Sequence, residues 1–317
     1  MIETKGLRKS FRSRAGRQTK VVEAVRGVDL SVKEGEIYGF LGPNGAGKTT
    51  TLRMLATLIT PDGGAATIAG ADLLKDPGEV RRRIGYVAQG GSTWDESTAR
   101  EELVLQARLY GIAKTDAQAR AAKALDAFQL SEYADRKTKT YSGGQRRRVD
   151  IALGIIHGPK VVFLDEPTTG LDPQSRAHMW DEVRRLRDEG MTVFITTHYL
   201  DEADALCDRI AIMDNGEIVT EGTVDELKRE VAGDVVTVGV NGSASFAAEL
   251  LNNQDYVRSL EQKNGELRLY VDEGAVAIPH ILRLLDHAGV ALNQMELHRP
   301  SLDDVFLTKT GRSLRES

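Results

Sequence analysis

The 317-residue chain is poor in cysteine and in aromatic side chains, and it has no long apolar run. Cys207 is the single cysteine, which excludes an internal disulfide and fits a reducing compartment. The longest apolar runs fall far short of the roughly 20 residues that a membrane-spanning helix requires. Residues 1–11 mix charged and apolar side chains and lack the apolar core of a signal peptide. We therefore expect no disulfide, no transmembrane segment and no signal peptide.

The charge balance is unlike that of a nucleic-acid-binding protein. The formal net charge is -5 and the isoelectric point is about 5.8, which disfavours a broad surface for polyanions. Apolar residues make up 41% of the chain and charged residues 28%, as in an ordinary globular protein. The length predicts two domains, and no nucleic-acid partner is expected.

Residues 42–49 read Gly-Pro-Asn-Gly-Ala-Gly-Lys-Thr and fit G-x-x-x-x-G-K-[ST], a loop that cradles phosphate. The apolar run 37–41 before them predicts a buried strand, and apolar residues at helical spacing follow them. Glycines let the backbone turn its N–H groups onto phosphate oxygens. We assign Lys48 to the β- and γ-phosphates and the Thr49 hydroxyl to Mg²⁺. The predicted nucleotide-binding residues here are Gly42, Pro43, Asn44, Gly45, Ala46, Gly47, Lys48, Thr49 and Thr50.

Polar side chains follow three other predicted strands: Gln89, the pair Asp165-Glu166, and His198. In a parallel sheet the carboxyl ends of the strands meet at one edge, where ligands bind. Asp165 would hold Mg²⁺, and Glu166, on an extended backbone, would face the other way and orient or deprotonate the attacking water. His198 would bond the γ-phosphate, and Gln89 would contact the metal or the water. The alternatives are a helix-entry turn for the Asp-Glu pair and a structural role for His198.

The segment Ser142-Gly143-Gly144-Gln145 is a capping box, which by itself only begins a helix. Its two glycines leave the first N–H groups of that helix uncovered, which makes a second anion site. Because one chain already has its own phosphate loop, a second anion site points to the phosphate of a second chain. The pattern therefore predicts a two-fold dimer with two nucleotides at its interface.

Residues near the N-terminus allow two interpretations each. Phe11 either stacks on an adenine ring or packs in the core. The basic stretch 12–20 reads as a solvated loop, with an acidic partner as the alternative. The alternation at Val28, Leu30 and Val32 predicts a half-buried strand.

Caps and turns predict the order of the remaining elements. Thr98 to Glu101 forms a capping box, and an Ala-rich region with helices over 98–111 and 115–128 predicts a helical subdomain between two strands. Asp76 and Asp172 each precede a proline and are predicted N-caps. Asn215-Gly216 predicts a two-residue hairpin.

The pattern changes at residue 234. Strand, helix, strand, strand, helix and strand signals follow in the order of the split ferredoxin-like unit, with a hairpin across Asn264-Gly265. Ser301 then caps a short last helix. We predict an ATP-binding domain over 1–232, with the helical subdomain over about 95–158, and an α+β domain over 233–317 that serves as an accessory or dimerisation domain.

Together these motifs resemble the ATP-binding subunit of an ABC transporter. The match covers residues 2–230: the phosphate loop, Gln89, the segment 141–145, Asp165-Glu166 and His198 stand in the family's order, and Gly170, Leu171 and Asp172 resemble its dimer-contact loop. The resemblance implies an α/β P-loop NTPase with a mostly parallel core sheet and an antiparallel β subdomain. It implies hydrolysis of ATP with Mg²⁺ at a composite site, where Ser142, Gly143, Gly144 and Gln145 act in trans.

Two details resemble the bacterial daunorubicin-resistance type: Gln145-Arg146-Arg147-Arg148 after the glycines, and Pro-Ser-Leu-Asp-Asp-Val-Phe-Leu at 300–307. Tyr141 and Gln145 depart from the more usual Leu and Met, and neither change removes a backbone donor. The resemblance implies a homodimer that powers export of a drug or other hydrophobic compound.

The partner implied by the resemblance is a separate multi-span permease. It would be reached by the helical subdomain and by the loop after Gln89, at the cytoplasmic face of the membrane. The alternatives are a soluble ABC-type ATPase acting on nucleic acid, and a C-terminal domain that senses a small ligand instead of bracing the dimer.

Overall fold

A computed structural model describes residues 1–15, 18–231, 233–241, 244–263, 266–312 and 314. The chain divides into two compact units, Met1–Glu221 and Gly222–Ser317. The domain boundary predicted after residue 232 lies further along the chain than the boundary between these two units, because the helix Val224–Val231 belongs to the second unit.

The first unit contains two β-sheets with helices packed on them and between them. Its strands are β1 (Ile2–Ala15), β2 (Gln18–Val32), β3 (Ile37–Leu41), β4 (Gly63–Ile68), β5 (Ala71–Asp72), β6 (Ile84–Val87), β7 (Val161–Asp165), β8 (Thr192–Thr197), β9 (Arg209–Asp214) and β10 (Glu217–Thr223). Its α-helices are α1 (Lys48–Leu55), α2 (Pro77–Arg83), α3 (Ala99–Leu109), α4 (Lys114–Ala127), α5 (Gly143–Ile155), α6 (Pro173–Asp188) and α7 (Leu200–Leu206), and Ser131–Tyr133 and Thr138–Thr140 are short 3-10 helices.

The six-stranded sheet has the order β10-β9-β3-β8-β7-β6, and the pairs β9/β3, β3/β8, β8/β7 and β7/β6 are parallel. Phe40, Phe163 and Phe194 are fully buried and pack on one another, with ring centroids 4.9 and 5.6 Å apart. This arrangement confirms the predicted core sheet. Because the strands are parallel, β3, β6, β7 and β8 all end at one edge, which positions the site.

The other sheet is antiparallel, with the order β2-β1-β4-β5. Its long β1–β2 hairpin contradicts the solvated loop predicted for 12–20, because Arg12 pairs with Val21 and Ser13 with Lys20. Only residues 16 and 17 of that stretch lie outside the described residues. Shifts of register after Thr4 and again after Lys9 interrupt the in-out alternation of β1. A strand with a broken alternation gives no period of two to detect.

The helical subdomain consists of α3, α4 and α5 between β6 and β7, as predicted. The Thr98 capping box is confirmed, with both of its hydrogen bonds to Glu101 present. Asp172 also caps α6 by accepting a hydrogen bond from the Ser175 amide. Asp76 is the N-cap residue of α2 and Pro77 its first residue, as predicted, but the Asp76 side chain accepts no amide hydrogen bond there. The short helix α7 has no counterpart among the predicted elements.

The second unit has the strand order β12-β13-β11-β14, all antiparallel, with α9 and α10 packed against the sheet. This order confirms the split ferredoxin-like prediction, and Ser301 caps the last helix as expected. The predicted turn at Asn264-Gly265 lies outside the described residues. The elements are α8 (Val224–Val231), β11 (Asp234–Asn241), α9 (Ala244–Asn252), β12 (Val257–Lys263), β13 (Glu266–Val271), α10 (Gly274–His287), β14 (Ala291–His298) and α11 (Leu302–Thr310).

Cys207 follows α7 and is buried against β3. A Cβ atom added at Gly39 would lie 2.5 Å from its sulfur, so the thiol fills the space above that glycine. Burial raises the pKa of the Cys207 thiol well above its ordinary value. The thiol is therefore neutral and packed. Across the described residues, no helix combines the length and the apolar character needed to cross a bilayer.

Candidate functional site

The phosphate loop lies between β3 and α1, as the sequence predicts. Gly45 and Gly47 have φ angles of 81° and 106°, in the left-handed region that glycine enters without strain. Gly42 has no room for a side chain, because a Cβ atom there would lie 2.2 Å from the carbonyl oxygen of Met213. The loop can therefore curl closely against the sheet only with glycine at these positions.

Lys48 is the first residue of α1 and is only 4% exposed. Its ammonium donates hydrogen bonds to the carbonyl oxygens of Gly42 at 2.7 Å and Pro43 at 3.0 Å. Burial lowers the pKa of Lys48, and the nearby carboxylates of Glu166 and Asp165 act in the opposite direction. The ammonium is thus held inside the loop, where it can exchange carbonyl oxygens for phosphate oxygens.

A cavity of about 540 Å³ opens over the phosphate loop. Phe11 pairs with Val22 across β1 and β2, and both side chains line the cavity. Phe11 is 42% exposed, so the alternative that it packs in the core is wrong, whereas its stacking on adenine stays a prediction. Gly42 and Pro43 do not line the cavity. The lining residues are Phe11, Val22, Ala24, Asn44, Gly45, Ala46, Gly47, Lys48, Thr49, Thr50, Gln89 and Glu166.

Asp165 is fully buried at the end of β7. One of its carboxylate oxygens accepts hydrogen bonds from the hydroxyls of Thr49 at 2.9 Å and Thr196 at 2.7 Å. The other oxygen, Oδ2, is buried without a hydrogen-bond partner. A hard cation prefers oxygen ligands, and an unpaired carboxylate oxygen beside a hydroxyl supplies them. These residues therefore fit Mg²⁺ together with phosphate oxygens and water.

Glu166 follows β7 with a φ angle of 45°, so the extended backbone assumed from the sequence is wrong. Its side chain is nevertheless aimed at the phosphate loop, with one oxygen 3.8 Å from the Lys48 ammonium. The other oxygen accepts hydrogen bonds from Gln89 Nε2 at 2.8 Å and the Thr169 hydroxyl at 3.1 Å. His198 contributes most to lowering the pKa of Glu166, and Lys48 and Thr169 act in the same direction against the effect of burial. The carboxylate is therefore ionised and oriented.

His198 comes directly after β8, and its Nδ1 lies 3.3 Å from the Glu166 carboxylate. This nitrogen has no aligned hydrogen bond. The ring packs beside Tyr199 with the centroids 4.1 Å apart and is 27% exposed. The structure thus brings His198, Glu166, Gln89 and Lys48 together at the edge of the sheet, as the strand-end argument expects.

The segment 142–145 begins α5 with both capping-box hydrogen bonds, from the Gln145 amide to the Ser142 hydroxyl and from the Ser142 amide to the Gln145 side chain. Ser142 and Gly143 are exposed. Neither residue lines the cavity over the phosphate loop of its own chain. Ser142, Gly144 and Gln145 line a different cavity of about 140 Å³, together with residues of α6 such as Ser175.

The predicted dimer-contact loop lies beside this second cavity. Gly170 has a φ angle of 79°, and Asp172 accepts hydrogen bonds from the amide and the hydroxyl of Ser175. A Cβ atom at Gly143 would lie 3.9 Å from Leu171, so the loop and the start of α5 are neighbours. Both segments therefore lie on the same part of the first unit.

Sequence reasoning missed Arg147, which stands in a run of three arginines that resembles a solvated surface. The residue is only 6% exposed, and its guanidinium reaches backbone carbonyls next to Gln89 and Glu166. One signal for its burial was present, because Arg147 shares a helical face with the apolar residues Ile151 and Gly154 of α5.

Two family models match the chain. The model described as "ABC transporter" matches residues 25–169, and the model described as "ATP-binding protein DrrA1-3-like, C-terminal domain" matches residues 222–310. The first match contains the phosphate loop, Gln89, the segment 142–145 and Asp165-Glu166. The second lies within the ferredoxin-like unit.

Curated relatives match over nearly the whole length. The daunorubicin/doxorubicin resistance ATP-binding protein DrrA of Streptomyces peucetius is 44% identical over 313 residues, which cover 98% of this chain and 92% of that protein. The linearmycin resistance ATP-binding protein LnrL of Bacillus subtilis (strain 168) is 35% identical, and the match covers 100% of both chains. The solved dimer of the ATP-binding cassette MJ0796 in a post-hydrolysis state with ADP and Pi gives a TM-score of 0.63 at 28% identity, over 70% of this chain and 98% of that chain.

Proposed function

This chain belongs to the family of ATP-binding subunits of ABC transporters, and we propose that two copies of it enclose ATP, each completing the site of the other. It is the ATPase of an export system. ATP lies on the phosphate loop of one copy, and the segment Ser142-Gly143-Gly144-Gln145 of the second copy caps the γ-phosphate. The same arrangement, repeated by the two-fold axis, gives two sites per dimer.

The observation that carries the shared site is the separation of its two halves within one chain. Lys48, Gln89 and Glu166 line the cavity over the phosphate loop, whereas Ser142 and Gly144 line another cavity. Gly143 and Gly144 stand in the first turn of α5, and the N-terminus of a helix favours an anion. A phosphate supplied by a second copy satisfies both halves.

The residues around the phosphate loop contribute to hydrolysis in different ways. Lys48 and the loop amides hold the β- and γ-phosphates, and Thr49 and Asp165 would hold Mg²⁺, which would neutralise phosphate charge. Glu166 accepts a proton from the attacking water or orients it. His198 donates a hydrogen bond towards the γ-phosphate, and Gln89 links Glu166 to the metal site. Phe11 stacks on the adenine.

We propose a drug or another hydrophobic compound as the exported substrate, and a separate multi-span permease at the cytoplasmic face of the membrane as the partner. Two of the relatives described above are named for resistance to daunorubicin/doxorubicin and to linearmycin. Trp94, Leu105 and Leu109 are exposed beside the loop after Gln89, which suits a surface that the permease covers. Purification from native membranes should recover a multi-span protein with the chain, and its absence under mild detergents would contradict this part.

A mixing experiment tests the shared site. Lys48→Ala chains and Ser142→Arg chains should each be inactive alone. A mixed dimer contains one intact site, made of the phosphate loop of the Ser142→Arg chain and the segment 142–145 of the Lys48→Ala chain. Mixing should therefore restore ATP hydrolysis, and failure to restore it in dimers of verified mixed composition would refute the arrangement in trans.

The matched control mixes Lys48→Ala chains with Glu166→Gln chains. Lys48 and Glu166 belong to the same half of a site. In the mixed dimer, one site lacks Lys48 and the other lacks the Glu166 carboxylate, so no intact site forms. The control mixture should stay inactive. Equal recovery in both mixtures would mean that subunits exchange or cooperate in a way that the shared site does not explain.

A further inference from the structure

Arg147 is a buried cation that hydrogen-bonds to backbone. It lies one turn into α5, and its guanidinium donates to the carbonyl oxygens of Pro167 at 2.8 Å, Ala88 at 2.6 Å and Asp165 at 3.0 Å. A longer contact of 3.4 Å reaches the carbonyl of Glu166. One side chain of the helical subdomain thus holds two segments of the core sheet.

Burying this charge is costly, so its position calls for an explanation. Burial lowers the pKa of Arg147, and the carboxylates of Asp150, Asp165 and Glu202 oppose that effect. A guanidinium has five N–H groups in a fixed fork and satisfies several carbonyls at once, which an ammonium on a flexible stem does not do. The residue type therefore matches this set of acceptors.

The carbonyls belong to the two segments that carry the hydrolytic pair. Ala88 precedes Gln89, and Asp165 and Pro167 flank Glu166, whose left-handed backbone is strained for a residue with a side chain. Strain of this kind persists only where the surroundings hold it in place. We propose that Arg147 is a positioning residue, which holds the backbone so that Gln89 and Glu166 face each other over the γ-phosphate.

Asp150 extends this contact by one helical turn. Its carboxylate accepts hydrogen bonds from the amide of Ser92 at 2.7 Å and from the Ser92 hydroxyl at 3.0 Å. A Cβ atom at Gly91 would lie 2.9 Å from the same carboxylate, so the loop packs closely on it. Helix α5 therefore holds the chain on both sides of Gln89. Because Ser142 caps the start of α5, a shift of the segment that receives the partner's phosphate also moves the support of Gln89 and Glu166.

The test is Arg147→Lys in the full-length chain, and it rests on the proposed function. The substitution keeps the charge and loses the fork. Since a misplacement of about 1 Å can cost roughly a hundredfold in rate, we expect kcat to fall by about tenfold to a hundredfold. The affinity for ATP should stay unchanged, because Arg147 does not contact the phosphate loop. An unchanged kcat would overturn the positioning role.

Arg120→Lys is the matched control. The Arg120 guanidinium also bonds a carbonyl of the helical subdomain, that of Ile156 at 3.2 Å, after the end of α5. It lies away from Gln89 and Glu166, so kcat should change by no more than about twofold, the size of an ordinary surface substitution. An equal loss in both variants would assign the effect to general loosening of the subdomain and overturn the proposal.

A double mutant separates positioning from a general structural role. If Arg147 acts through Gln89, then Arg147→Lys should cost much less in a Gln89→Ala background than in the wild type. Losses that multiply in full would contradict the proposal. Should Arg147→Lys not fold, Arg147→Gln removes the buried charge, and it should show the same loss of kcat at an unchanged affinity for ATP.

The outcomes also distinguish this inference from the function on which it rests. A wild-type chain whose hydrolysis does not depend on Glu166 would refute the proposed function. A wild-type chain with Glu166-dependent hydrolysis and an unaffected Arg147→Lys variant would refute the positioning role alone.

Discussion

Replacing Glu166 with glutamine keeps the size of the side chain and removes its ability to accept a proton. The amide oxygen can take the place of the carboxylate oxygen that accepts from Gln89 at 2.8 Å and Thr169 at 3.1 Å. The amide NH₂ then lies where the other oxygen is, 3.8 Å from the Lys48 ammonium. The local hydrogen bonds therefore survive, and we expect the variant to fold.

The size of the effect follows from the role of the carboxylate. A positioned general base contributes about 10²- to 10⁴-fold to a rate. At about 1.4 kcal/mol for each factor of ten, this corresponds to a barrier raised by about 3–5 kcal/mol. Removing a negative charge beside the γ-phosphate also lowers repulsion, so ATP should bind to Glu166→Gln at least as tightly as to the wild type.

Two measurements check this prediction. Steady-state phosphate release should fall by the factor given above, and size-exclusion chromatography with ATP and Mg²⁺ should show a dimer that persists in the variant. Thr169→Ala is a useful companion, since it removes one hydrogen bond from the carboxylate and leaves the carboxylate itself. Fast steady-state hydrolysis by Glu166→Gln would remove Glu166 from the catalytic role.

Three further predictions concern other residues. Lys48→Ala should weaken nucleotide binding, measured by titration with a fluorescent ATP analogue, and an unchanged affinity would argue against the phosphate-loop assignment. Ser142→Arg should abolish hydrolysis and spare ATP binding by the single chain, because the serine serves the partner's nucleotide; surviving hydrolysis would exclude the shared site. Burial raises the pKa of Glu102 to about 7, so this carboxyl costs stability as the pH rises from the ordinary value of 4.5 towards 7. Glu102→Gln should therefore lose less stability than the wild type between pH 5 and pH 8 in urea denaturation, and parallel pH curves would contradict the reasoning.

Much of the site could be predicted because the functional residues follow strands. Gln89, Asp165 and His198 each lie within two residues of the end of a parallel strand, and parallel strands bring their ends to one edge. The capping boxes at Thr98 and Ser142 were predictable for a similar reason, since both of their hydrogen bonds are formed within four consecutive residues.

The features that were missed depend on contacts distant in sequence. One exception is the strand at 12–15, which pairs with 18–21 close by in the chain and was missed because its basic and small residues show no apolar alternation. The left-handed backbone of Glu166 is held by the carbonyl contacts of Arg147 and by its amide bonding Thr196. Arg147 itself was hidden among charged neighbours, because a charge run is ordinarily solvated and only the packing of α5 shows which arginine faces inward.

The shielded sulfur beside Gly39 has a practical consequence for measuring how the two copies of the chain move during ATP hydrolysis. Cys207 is the single thiol of the chain, and in the folded protein it is neutral and covered. Spin or fluorescent labels attached to an introduced Thr93→Cys site should react without background from the native residue. Distances between paired labels could then be followed through a catalytic cycle without first removing a cysteine from the chain.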